Sequence, residues 1–171
     1  EGTTDFLLEQ GKKAGITKYI VHSCATKAEQ VRSINEFVKS ELDKHDNFIG
    51  FMTLHQDLTE EQIYDEVCWG EKNGFKGIKL HPDFQKFHID DKKCYKIYEI
   101  CQAKKLPVLL HTGDSRYDYS NPKRMKRVLD HFPELIVIGA HFGGWSFWQE
   151  ALETLSPSKN FYVDCSSSFD W

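Results

Sequence analysis

Two hydrophobic patterns alternate along this sequence. Short apolar runs rich in β-branched residues are typical of buried strands, whereas apolar residues that recur every three or four positions are typical of one helix face. The predicted strands are residues 18–24, 48–54, 75–81, 107–111, 135–141 and 160–165. Because a helical pattern separates each strand from the next, the sequence predicts a parallel sheet covered by helices.

Capping residues mark the start of several of these helices. A serine or threonine followed three residues later by glutamate or glutamine is typical of a capping box, and proline is favoured at the first helical position. The predicted starts are Thr26/Glu29, Thr59/Gln62, Asn121–Pro122 and Ser146/Gln149. Glycines such as Gly15 and Gly74 are expected to end helices.

The spacing of the strands distinguishes between two architectures. Strand starts recur about every 25–30 residues, close to the roughly 31 residues per unit of a (β/α)8 barrel. An open doubly wound sheet has the same alternation, but here no strand is followed by a glycine-rich phosphate-binding motif. The predicted fold is therefore α/β, a (β/α)8 TIM barrel, although the sequence contains six strands and a closed barrel needs eight.

Composition limits the classes of function. The 171 residues, 40% of them hydrophobic, suit a single domain spanning residues 1–171, and a net charge of -4 without a basic stripe argues against a nucleic-acid partner. No apolar run approaches the roughly 18 residues of a membrane span. The five cysteines form no C-x-x-C pair, which indicates a reducing compartment, and we expect the cytoplasm.

Polar side chains occur where two of the predicted strands end. Alternate residues of a barrel strand point into the barrel. With Ile78 and Leu80 facing the helices, Lys79 and His81 face inward, and the same alternation directs His111 inward. These residues lie at the C-terminal rim, where such barrels hold their active sites.

The strand at 135–141 is assigned by the same rule. Ile138 and Ala140 are predicted to face the helices, so that Val137, Gly139 and His141 point into the barrel. A third histidine is thereby expected at the same barrel mouth. Burying several imidazoles and an amine together is unfavourable in free energy unless a metal, an anion or water supplies their missing partners.

Further polar residues are candidates for substrate binding, together with His81. Asp114 and Arg116 lie on the loop after His111, where they could hold a substrate carboxylate. Asp164 has inward parity on the last predicted strand, and we treat it as a fourth substrate-binding candidate.

The ordered segments GIKLHP, PVLLHTGD, VIGAHFGG and YVDCSSS resemble the amidohydrolase-related branch of the metal-dependent hydrolase superfamily. The resemblance covers most of the chain and implies a (β/α)8 barrel with a divalent metal, zinc first and manganese or iron as alternatives. It implies that His111 is a metal ligand and that His141 binds metal or acts catalytically on the water and substrate. Some superfamily members carbamylate a fourth-strand lysine, which makes Lys79 a further catalytic candidate. His22 and His55 also lie near strand ends but do not match the family's motifs.

The sequence departs from the family pattern at both ends. The family's H-x-H pair on the first strand and its aspartate on the eighth strand have no counterpart here. The six strands are therefore expected to be strands 2–7 of the barrel. We expect this stretch alone to bind metal weakly and to be inactive.

Three functions are open at this point. The first is a metal-dependent hydrolase that acts on a small molecule through a metal-activated water. The second is a metal-dependent decarboxylase or hydratase acting on a small unsaturated or aromatic carboxylic acid. The third is a non-catalytic fragment, and a homo-oligomer is compatible with each of the three.

Overall fold

Six parallel strands form one sheet in the computed structural model, which describes residues 2–169. The strands are β1 (Tyr19–Val21), β2 (Phe48–Thr53), β3 (Gly77–Leu80), β4 (Val108–Leu110), β5 (Val137–Gly139) and β6 (Phe161–Val163). The helices are α1 (Thr4–Lys13), α2 (Val31–Leu42), α3 (Glu60–Lys72), α4 (Pro82–Gln85), α5 (Tyr95–Lys104), α6 (Pro122–His131) and α7 (Trp148–Leu155). Short 3-10 turns occupy Ala28–Gln30, Lys92–Cys94 and His141–Gly143.

The strand order identifies the architecture. Each strand pairs in parallel with its neighbour in sequence, so the order is β1-β2-β3-β4-β5-β6. An open doubly wound sheet reverses its order at a switch point, and this sheet does not. The fold is therefore a curled half-barrel, which confirms the prediction of an incomplete (β/α)8 barrel. No helix within residues 2–169 is long and apolar enough to cross a bilayer.

The two faces of the sheet pack differently. On the outer face, strand residues such as Ile78 and Leu110 lie in the main hydrophobic core with helix residues such as Val67 and Val128. The inner face carries a small separate apolar cluster made of Ile49, Phe51, Leu109, Ile138 and Ala140. Helices outside and a thin apolar layer inside are the arrangement of a (β/α)8 barrel.

The predicted orientation of β5 is wrong. Val137 lies in the outer core, whereas Ile138 and Ala140 lie in the inner cluster. The prediction counted back from His141 as if the strand were extended to that residue, but β5 ends at Gly139. His141 itself adopts a left-handed conformation with φ 58°, so alternation does not apply to it.

The predicted helix starts have mixed outcomes. The capping box of Thr59 and Gln62 is present, with both reciprocal hydrogen bonds. α6 begins with proline as predicted. At Thr26 the partner is the side chain of Gln30 rather than Glu29. The start predicted at Ser146 is wrong, because that residue has φ 66° and α7 begins two residues later.

Candidate metal centre

Three histidines follow the ends of neighbouring parallel strands. His81 comes directly after β3, His111 directly after β4, and His141 two residues after β5. The rings of His81 and His111 stack with centroids 4.0 Å apart, and those of His111 and His141 meet edge to face at 4.9 Å. The structure thus brings the three predicted histidines together at one mouth of the half-barrel.

An acidic residue that the sequence analysis did not select completes the cluster. Asp83 lies in the first turn of α4, directly after Pro82. One nitrogen each of His81 and His111 and one carboxylate oxygen of Asp83 all lie within 4.8 Å of one another. The signal was present in the sequence, because a proline after a strand-ending histidine can start a helix and bring the next residue back over the rim.

Several polar atoms of this cluster have no hydrogen-bond partner among the residues that the structure describes. Nδ1 of His81, Nε2 of His111 and both carboxylate oxygens of Asp83 are buried and have no hydrogen-bond partner among the described residues. Nε2 of His111 lies 2.9 Å from Oδ2 of Asp83, but the two atoms are not aligned as a hydrogen bond. Buried polar atoms without partners are costly and are rare in folded proteins.

A hydrogen-bond relay determines which nitrogen of His111 carries its proton. Nδ1 of His141 lies 2.7 Å from the carbonyl oxygen of Ser166, and a carbonyl can only accept, so Nδ1 of His141 donates. Nε2 of a neutral His141 is then an acceptor, and it lies 3.1 Å from Nδ1 of His111, which must donate to it. Neutral His111 therefore presents a lone pair at Nε2, on the side that faces Asp83.

This donor set fits a divalent cation. In the tautomer with the proton on Nδ1, the Nε2 lone pair of His111 and the Asp83 carboxylate are two acceptors 2.9 Å apart, and a cation near both would satisfy them. Two imidazoles and one carboxylate are a ligand set of catalytic zinc sites, and outer hydrogen bonds such as that from His141 commonly orient a ligating histidine.

His81 is held in its neutral form. Burial, together with the neighbouring charges of His111 and Lys79, lowers the pKa of His81 to about 3. The ring is sandwiched between His111 and Phe84, whose centroid lies 3.8 Å away at an interplanar angle of 7°. A neutral imidazole fixed in this way offers a lone pair to a metal.

Lys79 lies on the inner face of β3, two residues before His81. Its flanking residues Ile78 and Leu80 are in the outer core, as predicted. The side chain is only 6% exposed, and no residue within 2–169 forms a hydrogen bond or ion pair with it. Burial lowers the pKa of Lys79 to about 8, although the charge of Asp164 acts in the opposite direction. Among residues 2–169, Lys79 is thus a buried side chain close to the histidine cluster with no ion pair to it.

Asp164, directly after β6, supports the histidine relay. Its Oδ1 accepts hydrogen bonds from the backbone nitrogen of His141 at 3.1 Å and from the backbone and hydroxyl of Ser166 at 2.9 and 2.6 Å. Burial raises the pKa of Asp164, but the hydrogen bonds from Ser166 and His141 outweigh it, and the net pKa is below the usual value. Asp164 therefore positions the segment that holds His141.

Asp114 and Arg116 pair with each other. Both oxygens of the buried Asp114 carboxylate accept from the Arg116 guanidinium, at 2.9 and 2.6 Å. The Arg116 hydrogen bonds hold the pKa of Asp114 below its usual value. The role of these two residues in substrate binding stays a prediction, since their charges already offset each other.

Two further histidines near strand ends lie outside the cluster. His55 is buried, and its Nδ1 accepts from the backbone nitrogen of Asp57 at 3.2 Å, which is a structural role. His22 follows β1 and is exposed. Neither belongs to the candidate metal centre.

Comparison with known proteins agrees with the geometry. A sequence model described as amidohydrolase matches residues 3–171. No curated protein matches the chain. An uncharacterised TIM-barrel protein from Bordetella bronchiseptica superposes with a TM-score of 0.80 at 21% identity, covering 95% of this chain and 59% of that one.

Two decarboxylases have similar structures. 5-Carboxyvanillate decarboxylase from Sphingomonas paucimobilis gives a TM-score of 0.74 at 13% identity, over 96% of this chain and 65% of that one. 2,6-Dihydroxybenzoate decarboxylase from Rhizobium gives a TM-score of 0.70 at 18% identity, over 95% of this chain and 69% of that one. These likenesses show the fold. The match of the family model over residues 3–171 shows more than the fold: the chain belongs to the amidohydrolase family.

Proposed function

We propose that the protein is part of a metal-dependent hydrolase whose metal is held by His81, Asp83 and His111. The observation that carries this proposal is that Nε2 of His111 and Oδ2 of Asp83 lie 2.9 Å apart, both buried and neither with a hydrogen-bond partner among the described residues. A divalent ion at this place would polarise a substrate carbonyl and lower the pKa of a water molecule towards about 7.

The remaining residues of the mouth act on the ligands in this proposal. His141 accepts the Nδ1 proton of His111 and so keeps the Nε2 lone pair directed at the metal. The carbonyl oxygen of Ser166 holds His141 in the tautomer that this requires, and Asp164 positions the His141 backbone. The earlier prediction that His141 is itself a metal ligand or proton carrier stays a prediction, because its Nε2 faces His111.

Zinc is the metal we propose first. Two neutral imidazoles and a carboxylate form a borderline nitrogen and oxygen set, which suits zinc and is also compatible with manganese and iron. Ligands from the remainder of a complete barrel would add to these three.

A decarboxylase is the second candidate. The support for it is that two structurally similar proteins are named as decarboxylases of aromatic carboxylic acids. The two candidates use the same metal site, and they differ in whether CO2 is released without consumption of water. We further propose a small-molecule substrate, a cytoplasmic location consistent with the free cysteines, and a homo-oligomer as an open alternative to a monomer.

The test is the metal content of the full-length protein and of matched variants. We expect about one tightly held ion per chain in the wild type, and more than about tenfold weaker zinc binding in His111→Ala and in Asp83→Asn. His88→Ala is the control, since His88 is exposed and outside the cluster. Unchanged metal stoichiometry and affinity in His111→Ala and Asp83→Asn would overturn the proposal.

A further inference from the structure

Gln85 is a buried polar side chain next to the metal centre that is not one of its three ligands. It is the last residue of α4, the single helical turn that carries Asp83, and it is 3% exposed. Its side-chain oxygen accepts from the backbone nitrogen of His81 at 2.8 Å. Its side-chain nitrogen donates to the carbonyl oxygens of Ala25 at 3.0 Å and of Leu54 at 2.7 Å. One amide thereby joins the segments that follow β1, β2 and β3.

The partners of this amide determine its orientation. A backbone N–H can only donate and a carbonyl can only accept, so the oxygen of Gln85 faces His81 and the nitrogen faces the two carbonyls. Both N–H groups of the amide are used. A glutamate has the same shape, but its carboxylate would direct an acceptor at two carbonyl oxygens. The position therefore requires an amide, and not only a side chain of this length.

The turn α4 is too short to be stable without other contacts. It spans Pro82–Gln85, whereas isolated helices shorter than about 12 residues are marginal in water. It is followed by Lys86 with φ 58°, a left-handed conformation that is unfavourable for a residue with a side chain. The Gln56 side chain donates to the backbone carbonyl of Gln85 at 2.9 Å. The turn is thus stabilised by the segments after β1 and β2, to which the Gln85 side chain contributes two hydrogen bonds.

The position of this turn determines whether the three proposed ligands can share one ion. Asp83 lies on α4 and His111 follows β4, and Oδ2 of Asp83 is 2.9 Å from Nε2 of His111. The backbone of His81 is held by Gln85 directly. Because distances in a metal site are fixed to within about 0.2 Å, a small rotation of α4 would remove Asp83 from the cluster.

We propose that Gln85 is a positioning residue of the metal centre. By joining α4 to the segments after β1 and β2, it holds His81 and Asp83 in the places from which they can bind one ion together with His111. This inference rests on the proposed function for the ion itself. Gln85 touches neither the ion nor the substrate, and its contacts with the turn are present without metal.

The first measurement is Co²⁺ binding to the metal-free full-length protein, followed by visible absorption. We expect Gln85→Met, which keeps the length of the side chain and removes the amide, to weaken Co²⁺ binding by about 10- to 100-fold. The absorption bands of bound Co²⁺ should also change, because the ligands are displaced. Gln85→Glu should weaken binding as well, since a carboxylate cannot donate to the two carbonyls. Co²⁺ affinity and bands in Gln85→Met equal to those of the wild type would overturn the inference.

Asn35→Leu is the matched control. Asn35 is also a buried amide with three hydrogen bonds, which it forms with the Thr53 backbone and the Glu66 side chain, outside the metal centre. Its replacement should destabilise the protein in urea unfolding to a similar extent as Gln85→Met, and leave Co²⁺ affinity within about twofold of the wild type. Equal loss of Co²⁺ affinity in both variants would overturn the inference, because general destabilisation would then explain the loss.

Hydrogen exchange of the metal-free protein measures the effect on α4 without any ion. The amides of Phe84 and Gln85 donate to the carbonyl of His81, and that of Phe87 donates to the carbonyl of Pro82. We expect these amides to exchange at least about tenfold faster in Gln85→Met than in the wild type, and at the wild-type rate in Asn35→Leu. Exchange at the wild-type rate in Gln85→Met would overturn the inference.

The outcomes separate this inference from the proposed function. If Co²⁺ binding is the same in the wild type, His111→Ala and Asp83→Asn, the proposed metal centre fails and the positioning role fails with it. If those two ligands are needed but Gln85→Met binds Co²⁺ like the wild type, only the positioning role fails.

Discussion

Replacement of Lys79 by methionine should stabilise the protein. Lys79 is buried and without an ion-pair partner among the described residues, and methionine keeps the length of the side chain without its charge. A buried charge without a partner disfavours the folded state, whereas an apolar chain of similar volume does not.

The size of the effect follows from the pKa of Lys79. Burial lowers this pKa to about 8, whereas lysine in an unfolded chain has a pKa of about 10.4. At about 1.4 kcal/mol per pKa unit, the protonated amine reduces the free energy of unfolding by about 3 kcal/mol near neutral pH.

The same pKa difference predicts the pH dependence. Since the folded-state pKa is the lower one, the unfolded chain holds its proton to higher pH, and wild-type stability should rise between about pH 8 and about pH 10.4. Lys79→Met has no such titration. The gap between variant and wild type should therefore shrink from about 3 kcal/mol near pH 7 to about 1 kcal/mol near pH 10.

Urea unfolding of metal-free protein, followed by tryptophan fluorescence at both pH values, measures this gap. Lys76→Met serves as the control, because substitution at an exposed site should change stability by less than about 0.5 kcal/mol. A Lys79→Met variant that is no more stable than wild type near pH 7, or whose advantage persists at high pH, would refute the reasoning.

Two further predictions concern the frame around the site. In urea unfolding, Gly113→Ala should lower the free energy of unfolding by at least about 2 kcal/mol more than Gly74→Ala. Both residues have positive φ, but a Cβ at Gly113 would lie 2.5 Å from the backbone nitrogen of Trp145, whereas one at Gly74 would meet nothing within 4 Å. Equal losses of stability in the two variants would contradict this prediction, because the Trp145 backbone would then have moved to accommodate the Cβ. Burial raises the pKa of Asp90, but hydrogen bonds from two α6 arginines outweigh it and the net pKa is lowered. The stability that Asp90 contributes is present above the unfolded-state pKa near about 4 and is lost as the pH falls. Asp90→Asn should therefore reduce the dependence of the melting temperature on pH between about pH 3 and pH 6. An unchanged pH dependence in the variant would contradict this prediction.

The arrangement of the strands could be read from local signals. Alternating apolar runs and amphipathic segments predicted all six strands, and the capping box at Thr59 and Gln62 lies where it was expected. Such features depend on residues close together in sequence, so pattern alone determines them. The outward direction of Ile78 and Leu80 followed in the same way, because β3 is regular up to the residue before His81.

The orientation of β5 shows where local reasoning stopped. Alternation is reliable only within a regular strand, and β5 ends two residues before His141. The imidazole still reaches the mouth, because left-handed backbone at His141 and Phe142 turns the chain and Asp164 holds the turn from the neighbouring strand. That hydrogen bond joins residues far apart in sequence, and no local pattern reports it.

The sequence by itself determined the alternating α/β half-barrel and the approach of His81, His111 and His141 to one mouth, because strand ends in a parallel sheet share an edge. Only the tertiary structure decided that Asp83 completes the cluster and that Lys79 has no partner within residues 2–169. The proton position on His111 likewise follows from a relay through His141 to Ser166. These properties depend on distances between atoms on different strands and loops, which only folding brings together.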